Sequence, residues 1–436
     1  MEEQLFTLDF PGTAVITDDG REVSYPELKR LADEWAASVP SRSLVFLLVE
    51  NNLKSLISYV ACLNHGIVPL MLAANIDSAL LATLESTYHP YAIFKNGALV
   101  EKIGTITALH PDLALLLTTS GSTGSPKLVR QSYKNIAANT ASIVEYLKLD
   151  PTERPIVTLP MNYTYGLSII NSHLAAGATI LMTDKTIIQR EFWNFFTTAG
   201  ATSFGGVPYT YEMLDKFMFF RRKLPTLRTM TQAGGKILPE LHQKFAEYAA
   251  KEGKNFVVMY GQCEATARMS YLPPERALDK IGSMGIAIPG GRFELDDGEL
   301  VYFGDNVTLG YAECAGDLAK GDERGGKLVT GDMARVDEDG YYFIVGRKKR
   351  FLKIFGNRVN LDETERMIKG AFSGLDCACA GSDDHMKIYI VNASITETIR
   401  NFVSEKTHLN FAAFEIVIVD EIPKNASGKT LYSLLP

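Results

Sequence analysis

Residues 115–127 read LLLTTSGSTGSPK, a short apolar run followed by hydroxyl and glycine residues and then by Pro-Lys. Leu115–Leu117 are typical of a buried strand, so the polar residues after them lie in a loop at its end. Glycines let backbone N–H groups converge on an anion, hydroxyls add donors, and a lysine adds a positive charge. The stretch therefore predicts a phosphate-binding loop with contacts from Thr118, Thr119, Ser120, Gly121, Ser122, Thr123, Gly124 and Lys127.

This loop does not fit the P-loop pattern Gly-x-x-x-x-Gly-Lys-Ser/Thr. A closer match to that pattern, PKNASGKT at 423–430, has Pro423 in place of the first glycine. Only six residues follow Thr430, whereas a P-loop is followed by a helix that packs on a parallel sheet. We therefore expect Lys429, in this second segment, to act in another way.

The composition bounds the class of protein. The chain has 436 residues, 46% of them hydrophobic and 22% charged, and a net charge of −7, which is typical of a globular protein with several compact units. The acidic balance disfavours a nucleic-acid partner. The first residues lack a secretory signal, and Asn64, Gly66 and Pro69 interrupt the most apolar stretch, so we expect no membrane span. Five scattered cysteines predict reduced thiols and a cytoplasmic location.

The order of apolar segments predicts the fold class. Over the first 260 residues, short β-branched segments alternate with helix-length amphipathic ones, which predicts an α/β fold of sheets covered by helices. From Arg292, short strands separated by Asp-Gly turns predict an antiparallel subdomain at about 291–345. A cluster of cations at 347–353 then precedes a small α+β unit. We therefore predict a large domain at 1–348 and a small C-terminal domain at 349–436.

Several short motifs make the sequence resemble the adenylate-forming superfamily of acyl-CoA synthetases, non-ribosomal peptide adenylation domains and luciferases. They are SYPEL at 24–28, HGIVPL at 65–70, the loop at 118–127, LPMNYTYG at 159–166, YGQCE at 260–264, Gly331-Asp332, the cationic segment 346–358 and NASGK at 425–429. Each motif is weak alone, but their order follows that of the family along nearly the whole chain. The resemblance implies a large ATP- and acid-binding domain joined by a hinge to a small mobile C-terminal domain.

The resemblance also implies a reaction. A carboxylate attacks the α-phosphorus of ATP, which gives an acyl-adenylate and pyrophosphate, and the acyl group then passes to a thiol. Because a carboxylate is already an anion at neutral pH, the first step needs charge neutralisation and in-line placement rather than a general base. The implied cofactors are ATP and Mg²⁺, with CoA or a phosphopantetheinylated carrier protein as co-substrate.

Roles for individual residues follow from the same resemblance. Lys429 bridges the substrate carboxylate and the α-phosphate, Glu264 holds Mg²⁺, and Asp332 accepts hydrogen bonds from the ribose hydroxyls. Arg347 contacts ribose or phosphate, and Lys349 is the hinge about which the C-terminal domain rotates to withdraw Lys429 before the thiol step. The remaining nucleotide contacts are implied at Gly234, Gly235, Lys236, Tyr260, Gly261, Cys263 and Arg358.

The sequence departs from the family pattern at two places. Cys263 stands where the family has threonine, and a thiol is a weaker hydrogen-bond donor than a hydroxyl. In the acyl-site motif, Asn162-Tyr163 replaces a Phe-His pair. Because residues 162–168 contain no acidic side chain to pair with an ammonium group, we favour a carboxylic acid without an α-amino group. The acyl pocket is predicted from Tyr163, Tyr165, Gly166, Phe204, Val207 and Pro208.

Several alternatives remain open from the sequence. The sequence contains no carrier domain, so we expect the thiol to belong to a separate molecule, and CoA and a holo carrier protein are equally compatible. An amino-acid-adenylating carrier-protein ligase and a non-catalytic nucleotide- or acyl-adenylate-binding protein are further alternatives. A kinase or ATPase is also possible and predicts ADP rather than AMP as the product. Exchange of pyrophosphate into ATP with any acid excludes the non-catalytic protein.

Overall fold

The computed structural model describes residues 5–118, 127–355, 357–372, 374–407, 409–424 and 430–436, apart from the side chains of Asn357 and Arg358. The strands are β1 (Thr13–Thr17), β2 (Glu22–Ser24), β3 (Leu44–Val49), β4 (Val68–Ala73), β5 (Ala92–Lys95), β6 (Ala98–Lys102), β7 (Leu113–Thr118), β8 (Leu128–Ser132), β9 (Pro155–Ile156), β10 (Ile180–Met182), β11 (Ser203–Gly206), β12 (Thr229–Gln232), β13 (Asn255–Tyr260), β14 (Ser270–Tyr271), β15 (Ile286–Ala287), β16 (Arg292–Asp296), β17 (Glu299–Phe303), β18 (Gly310–Ala312), β19 (Lys327–Val336), β20 (Tyr342–Arg347), β21 (Phe351–Ile354), β22 (Asn357–Asn360), β23 (Cys377–Ser382), β24 (His385–Ile390) and β25 (Phe414–Ile418).

The α-helices fall mostly between strands of the first part of the chain. They are α1 (Tyr25–Ala36), α2 (Leu53–Asn64), α3 (Ser78–Tyr88), α4 (Tyr133–Leu147), α5 (Thr164–Ala175), α6 (Arg190–Thr198), α7 (Pro208–Lys216), α8 (Pro239–Glu252), α9 (Leu361–Ala371) and α10 (Thr396–Thr407). None of the helices in the described parts of the chain combines the length and the apolarity needed to cross a membrane.

Two large sheets form the first part of the chain. One has the strand order β15-β14-β13-β12-β11-β9-β10-β1-β2, and the other has the order β18-β8-β7-β4-β3-β5-β6. The pairs β11–β12, β12–β13 and β3–β4 are parallel, with helices in the connections between them. The predicted α/β class is confirmed, and antiparallel strands such as β8 and β18 extend the second sheet at one edge.

Local sequence explains the helix positions. Helix α4 begins at Tyr133 because Ser132 Oγ accepts a hydrogen bond from Asn135 N at 3.1 Å and Asn135 Oδ1 accepts one from Ser132 N at 2.9 Å. Asn135 Nδ2 also donates to Asp305 O at 2.7 Å and to Val307 O at 2.8 Å. The start of α4 is therefore tied to the chain just before β18, which carries a residue of the candidate site.

The predicted antiparallel subdomain is a sheet with the order β16-β17-β19-β20. Strands β19 and β20 form a hairpin in which Asp332 lies opposite Arg347. Gly285 pairs with Tyr342 of β20 and links this sheet to the larger one. Two residues predicted to act on the nucleotide therefore sit on neighbouring strands of one hairpin.

The last part of the chain is a small α+β unit, as predicted. Strands β23, β24 and β25 form a sheet that packs against α9 and α10 around a separate apolar cluster. Cys377 and Cys379 of β23 are fully buried in this cluster and have free thiols.

Candidate active site

Asp332 lies at the centre of a buried group of polar side chains. Its Oδ2 accepts hydrogen bonds from Tyr260 Oη at 2.6 Å and from Gln262 Nε2 at 2.8 Å. Its Oδ1 lies 3.6 Å from Nε of Arg347, whose side chain is 54% exposed, whereas Asp332 is only 6% exposed. One oxygen of a buried carboxylate is thus held in place, and the other is next to an exposed guanidinium group.

The protonation states in this group follow from burial. Burial raises the pKa of the Asp332 carboxyl, while the hydrogen bonds from Tyr260 and Gln262 and the charge of Arg347 act in the opposite direction. Burial, and then the charge of Asp332, raises the pKa of Tyr260 well above its ordinary value. Tyr260 therefore stays neutral and donates. A ligand hydroxyl that donated to Asp332 Oδ1 would complete the hydrogen bonding of the carboxylate.

Glu264 lies on the same segment and contacts Tyr311 of β18. Glu264 Oε1 accepts a hydrogen bond from Tyr311 Oη at 2.7 Å. Lys127 Nζ lies 3.9 Å from the centroid of the Tyr311 ring, and the Arg324 guanidinium carbon lies 4.7 Å from it. Burial, and then the charge of Glu264, raises the pKa of Tyr311 to about 12. Tyr311 thus brings the lysine of the predicted phosphate loop close to the carboxylate of the nucleotide motif.

The donor set around Glu264 fits a magnesium ion that arrives with a nucleotide. Mg²⁺ in nucleotide sites is bound by one or two carboxylates together with phosphate oxygens and water. In the described residues no group of three or more His, Cys, Asp or Glu side chains could hold a metal ion. Glu264 therefore fits the role of a single carboxylate ligand, with the nucleotide supplying the others.

Arg130 of β8 anchors the strand that carries Tyr311. Its side chain is fully buried, and it donates from Nε to Tyr311 O at 3.0 Å and from Nη2 to Leu309 O at 3.3 Å. It also donates to the Lys320 carbonyl and pairs with the carboxylate of Glu323. A buried guanidinium that has both a carboxylate and several carbonyl partners holds its neighbours rigidly.

The chain just after Glu264 adopts a rare conformation. Thr266 has φ 65° and ψ −58°, and Ala267 N donates to Ala265 O at 2.7 Å across it, which defines a classic γ-turn. Thr266 Oγ1 donates to Asn306 O at 2.7 Å, and Asn306 Nδ2 donates to Ala265 O at 2.9 Å. The surrounding hydrogen bonds hold this strained turn, and the turn fixes the direction of the segment that carries Glu264.

Two other residues of the nucleotide motif have specific surroundings. A methyl group on Gly261 would lie 1.7 Å from the carbonyl oxygen of Ala267, so this position accepts only glycine. Burial, and then the charge of Glu264, raises the pKa of the Cys263 thiol well above its ordinary value. Cys263 is therefore a neutral thiol at neutral pH rather than a reactive thiolate.

Three residues of the predicted acyl pocket converge on two of the predicted nucleotide contacts. A methyl group on Gly234, whose φ is +82°, would lie 2.5 Å from Tyr163 Oη and 3.0 Å from Val207 Cγ1. A methyl group on Gly235 would lie 3.1 Å from Pro208 Cγ. Burial raises the pKa of Tyr163 to about 12, so its hydroxyl is neutral. The structure therefore brings these two predicted sets together at a position where the chain has no side chain.

The other three predicted pocket residues are buried in the core. Tyr165 is 3% exposed in the core, and a methyl group on Gly166 would lie 2.4 Å from a backbone carbonyl oxygen, so Gly166 serves close packing of α5. Phe204 packs among aromatic rings, with that of Tyr211 at 6.3 Å. Its neighbour Gly205 faces Tyr165, since a methyl group there would lie 3.0 Å from Tyr165 Oη. Successive strand residues face opposite sides, so Phe204 lies on the face away from Tyr165.

Lys236 contacts the hairpin that leads to the C-terminal unit. Its Nζ donates to Ile344 O at 2.7 Å. Burial of this ammonium, and then the charges of Arg366 and Arg335, lowers the pKa of Lys236 to about 8, although much of the residue as a whole is exposed. Arg366 of α9 donates to the next carbonyl, that of Val345, at 3.2 Å. Both parts of the chain therefore bind neighbouring carbonyl groups of β20.

The cationic segment after β20 has ion pairs on both sides of Lys349. Lys348 Nζ lies 2.7 Å from Glu299 Oε2 in the antiparallel sheet. Arg350 Nη2 lies 2.5 Å from Glu365 Oε1 in α9, and both of these side chains are largely buried. Lys349 itself is exposed and forms no ion pair with the described residues. The predicted hinge residue thus lies between one anchor on each part of the chain.

Some of the predicted site residues lie outside the described residues. They are Thr119, Ser120, Gly121, Ser122, Thr123, Gly124, Lys429 and the side chain of Arg358. Of their described neighbours, Thr118 ends β7 opposite Leu128 of β8, and Lys424 pairs with Thr430 in a short bridge.

Sequence reasoning did not find Tyr311, Gln262, Arg130 or Thr266. Gln262 is within the YGQCE motif, so a signal was present. Tyr311 is 47 residues from Glu264 and lies on an edge strand, and no spacing pattern links the two. The burial of Arg130 and the backbone angles of Thr266 depend on tertiary contacts, which a single sequence does not display.

The chain is similar to several known proteins. A family model described as AMP-binding enzyme matches residues 95–316, just over half of the chain. The chain is 24% identical to a 2-succinylbenzoate–CoA ligase of Listeria innocua, covering 96% of this chain and 95% of that protein. It is 29% identical to an oxalate–CoA ligase of Arabidopsis thaliana, covering 73% of this chain and 66% of that protein.

Solved structures show the same fold. The structure of the O-succinylbenzoate coenzyme A synthetase from Bacillus subtilis in complex with AMP has a TM-score of 0.80 at 20% identity, covering 97% of this chain and 95% of that one. ATP-bound MatB from Rhodopseudomonas palustris has a TM-score of 0.80 at 22% identity, covering 100% and 98%. The likeness includes the small C-terminal unit.

The chain belongs to the AMP-binding enzyme family. The predicted membership of the adenylate-forming superfamily is therefore confirmed. The predicted reaction class, AMP-forming ligation of an acid to a thiol, is confirmed as well.

Proposed function

We propose that the chain uses ATP and Mg²⁺ to convert a small carboxylic acid into an acyl-adenylate and then transfers the acyl group to the thiol of CoA. The observation that carries the proposal is that one segment, Tyr260–Glu264, joins the Asp332 group to the Glu264–Tyr311 group. This segment thus holds Asp332 of β19, an acceptor for ribose hydroxyls, and carries Glu264, a carboxylate for a nucleotide-bound metal. CoA is supported as the acceptor because the curated relatives named above are CoA ligases.

In this proposal the hairpin β19–β20 holds the ribose. Asp332 Oδ1 accepts from the ribose hydroxyls, because Tyr260 and Gln262 already occupy Oδ2. Arg347 lies beside Oδ1 and is exposed, so its guanidinium can contact the ribose or a phosphate. The adenine lies along the backbone of residues 234–236, where Gly234 and Gly235 pack closely against Tyr163, Val207 and Pro208.

The phosphates lie between the predicted loop and the Glu264 group. Thr118, residues 119–124 and Lys127 supply hydroxyl, backbone and ammonium donors. Glu264 holds Mg²⁺, which neutralises charge on the phosphates when it is bound. Cys263 and Gly261 lie at the α-phosphate, where the neutral thiol of Cys263 is a weak donor. Arg358 is a further proposed nucleotide contact.

The chemical step needs two anions to approach each other. Lys429 bridges the substrate carboxylate and the α-phosphate and so lowers their repulsion as the new bond forms. Loss of such a preorganised charge costs several kcal/mol of transition-state stabilisation, about 3 kcal/mol or more. The carboxylate is itself the nucleophile, so no side chain has to remove a proton.

We also propose the domain division 1–348 and 349–436, with Lys349 as the hinge. The ion pairs Lys348–Glu299 and Arg350–Glu365 support it, because each anchors one side of an exposed residue to a different part of the chain. Rotation at Lys349 withdraws Lys429 after the first step. The absence of acidic residues at 162–168 supports an acid without an α-amino group; an amino acid and a carrier-protein acceptor are the alternatives, and the cytoplasm is the proposed location.

The test is exchange of labelled pyrophosphate into ATP, screened over a panel of carboxylic acids and of amino acids. We expect exchange with at least one acid and AMP as the product once CoA is added. Lys429→Ala should abolish exchange, whereas Lys406→Ala, which removes an exposed lysine of α10, should leave it intact. Parallel reactions with CoA and with a holo carrier protein identify the acceptor. ADP as the product, or no exchange with any acid, would overturn the proposal.

A further inference from the structure

Arg268 is a buried cation that lacks an acidic partner. It follows the nucleotide motif and is 2% exposed. Its Nε donates to Ser168 Oγ at 3.1 Å and its Nη1 donates to Tyr146 Oη at 3.0 Å, with Met259 Sδ at 3.6 Å. No carboxylate in the described part of the chain lies within 4.0 Å of its guanidinium. Nη2 makes no hydrogen bond to any described residue.

Arg130 has a structural role and provides a comparison for the partners of a buried arginine in this chain. Arg130 and Arg268 are the buried arginines of the described residues, at 0% and 2% exposure. Arg130 pairs with the carboxylate of Glu323 and donates to several backbone carbonyls. Arg268 has two neutral hydroxyls and a thioether instead. Burying a charge without a counter-charge is costly, so the contrast indicates that the counter-charge of Arg268 comes from outside the chain.

The titratable side chains around Arg268 do not supply that charge. Burial raises the pKa values of the Tyr146 and Tyr165 phenols, so both are neutral. Burial, against a hydrogen bond to the Ile169 carbonyl, lowers the pKa of His173 to about 4, and the charge of Arg268 adds to this decrease. The surroundings of the guanidinium are therefore uncharged at neutral pH.

Arg268 lies beside two residues of the predicted acyl pocket, Tyr165 and Tyr163. Its guanidinium carbon is 5.2 Å from the centroid of the Tyr165 ring, and that ring is 6.3 Å from the ring of Tyr163. Tyr163 Oη contacts the Gly234 position, where the nucleotide and acyl sites meet. Met259, in contact with Nη1, directly precedes Tyr260 of the Asp332 group. A chain of aromatic contacts thus leads from the nucleotide site to the guanidinium.

We infer that Arg268 binds a second anionic group of the substrate, so that the acid activated here is a dicarboxylic acid. This inference rests on the proposed function. The reacting carboxylate lies at the nucleotide, and the distal carboxylate accepts hydrogen bonds from Nη2. Ser168 and Tyr146 hold the other side of the guanidinium and set its orientation. The positive charge also opposes the ammonium group of an amino acid, in agreement with the lack of acidic residues at 162–168.

The first test needs no variant. Pyrophosphate exchange is measured with pairs of acids of graded length, each pair consisting of a dicarboxylic acid and its monoamide, which has the same shape but no second charge. We expect kcat/KM for the best diacid to exceed that for its monoamide by roughly 100-fold or more, because the guanidinium is otherwise left buried and unpaired. Equal values for the two members of the best pair, or a preference for the monoamide, would overturn the inference.

Variants then assign the preference to Arg268. Arg268→Gln should reduce the diacid-to-monoamide ratio to near one, and Arg268→Lys should retain part of it, with the KM for ATP little changed. Arg222→Gln is the matched control, because it removes a half-buried guanidinium that lies 4.2 Å from the Trp193 ring, away from the site. It should keep the ratio of the wild type. A purely structural Arg268 would lower both rates together and leave the ratio unchanged, which would also overturn the inference.

The outcomes separate the two proposals. If no acid of any kind supports exchange, the proposed function fails. If monocarboxylic acids support exchange without any preference for a second charge, the proposed function stands and the inference about Arg268 fails. Should Arg268→Gln not fold, the ratio for Arg268→Lys and that for Ser168→Ala, which removes the acceptor of Nε, decide the assignment. The diacid-to-monoamide ratios of both variants should be lower than the ratio of the wild type.

Discussion

Tyr311→Phe tests whether Tyr311 orients Glu264. The substitution removes one hydroxyl and keeps the ring, so Lys127 at 3.9 Å and Arg324 at 4.7 Å retain their contacts with the ring face. What is lost is the 2.7 Å hydrogen bond to Glu264 Oε1. A hydrogen bond to a charged group is worth about 1.5–3 kcal/mol, and because Glu264 is partly exposed we expect about 1–2 kcal/mol. This corresponds to a decrease of about 5- to 30-fold in kcat/KM for MgATP.

The assay is pyrophosphate exchange at several Mg²⁺ concentrations, with a double-mutant cycle between Tyr311→Phe and Glu264→Gln. We expect the apparent affinity for Mg²⁺ to fall and the two losses to be non-additive by about 1–2 kcal/mol. Tyr248→Phe, on a partly buried ring of α8, is the matched control and should leave exchange unchanged. Additive losses, or an unchanged Mg²⁺ dependence in Tyr311→Phe, would refute the role assigned to this hydroxyl.

Four further outcomes are expected. Lys349→Pro should leave adenylate formation largely intact and strongly reduce thioester formation, as measured by the two half-reactions; equal loss of both would contradict the hinge assignment. Cys263→Thr should speed adenylation, because a hydroxyl is the better donor; an unchanged rate would show that this position does not contact the α-phosphate. Asp332→Asn should abolish exchange yet unfold at higher denaturant than the wild type at neutral pH. The pKa of Asp332 is raised in the folded state, so ionisation of this carboxyl opposes folding. The difference in stability between the variant and the wild type should vanish below about pH 3.8, because the carboxyl is then protonated in both the folded and the unfolded state. Glu365→Ala should lower the free energy of unfolding of the C-terminal unit by about 2–3 kcal/mol, since it removes the largely buried acceptor of Arg350 Nη2, Cys379 N and Tyr432 Oη; no change in urea unfolding would contradict this.

The sequence predicted those parts of the fold and site that local patterns encode. The start of α4 at Tyr133 follows from the Ser132 cap, and Asp332 and Glu264 lie in short motifs whose neighbours are fixed by the chain itself. Strand alternation also separates Phe204 from Tyr165, because Gly205, the next residue of β11, faces Tyr165. The packing of Tyr165, a residue of α5, against β11 is a tertiary contact that no local pattern displays.

The residues that the sequence did not reveal depend on distant parts of the chain. Tyr311 acts on Glu264 only because β18 pairs with β8 and Arg130 of β8 donates to the Tyr311 carbonyl. Arg268 indicates an anionic ligand only once its burial and the neutrality of its neighbours are known, since most arginines in a sequence are exposed and solvated. Long-range pairing and burial therefore set the limit of prediction here.

The hairpin β19–β20 gives the proposed domain movement a direct mechanical route. Asp332 lies opposite Arg347 in this hairpin, and the chain leaves β20 through Lys348 into the C-terminal unit. A rotation of that unit would therefore act on a strand end whose cross-strand neighbour is the proposed ribose acceptor. Under the proposed function, a nucleotide bound at Asp332 would restrain the strand from which the C-terminal unit is proposed to turn. The occupancy of the nucleotide site and the orientation of the C-terminal unit would then be linked by one pair of hydrogen-bonded strands, without a longer path through the core.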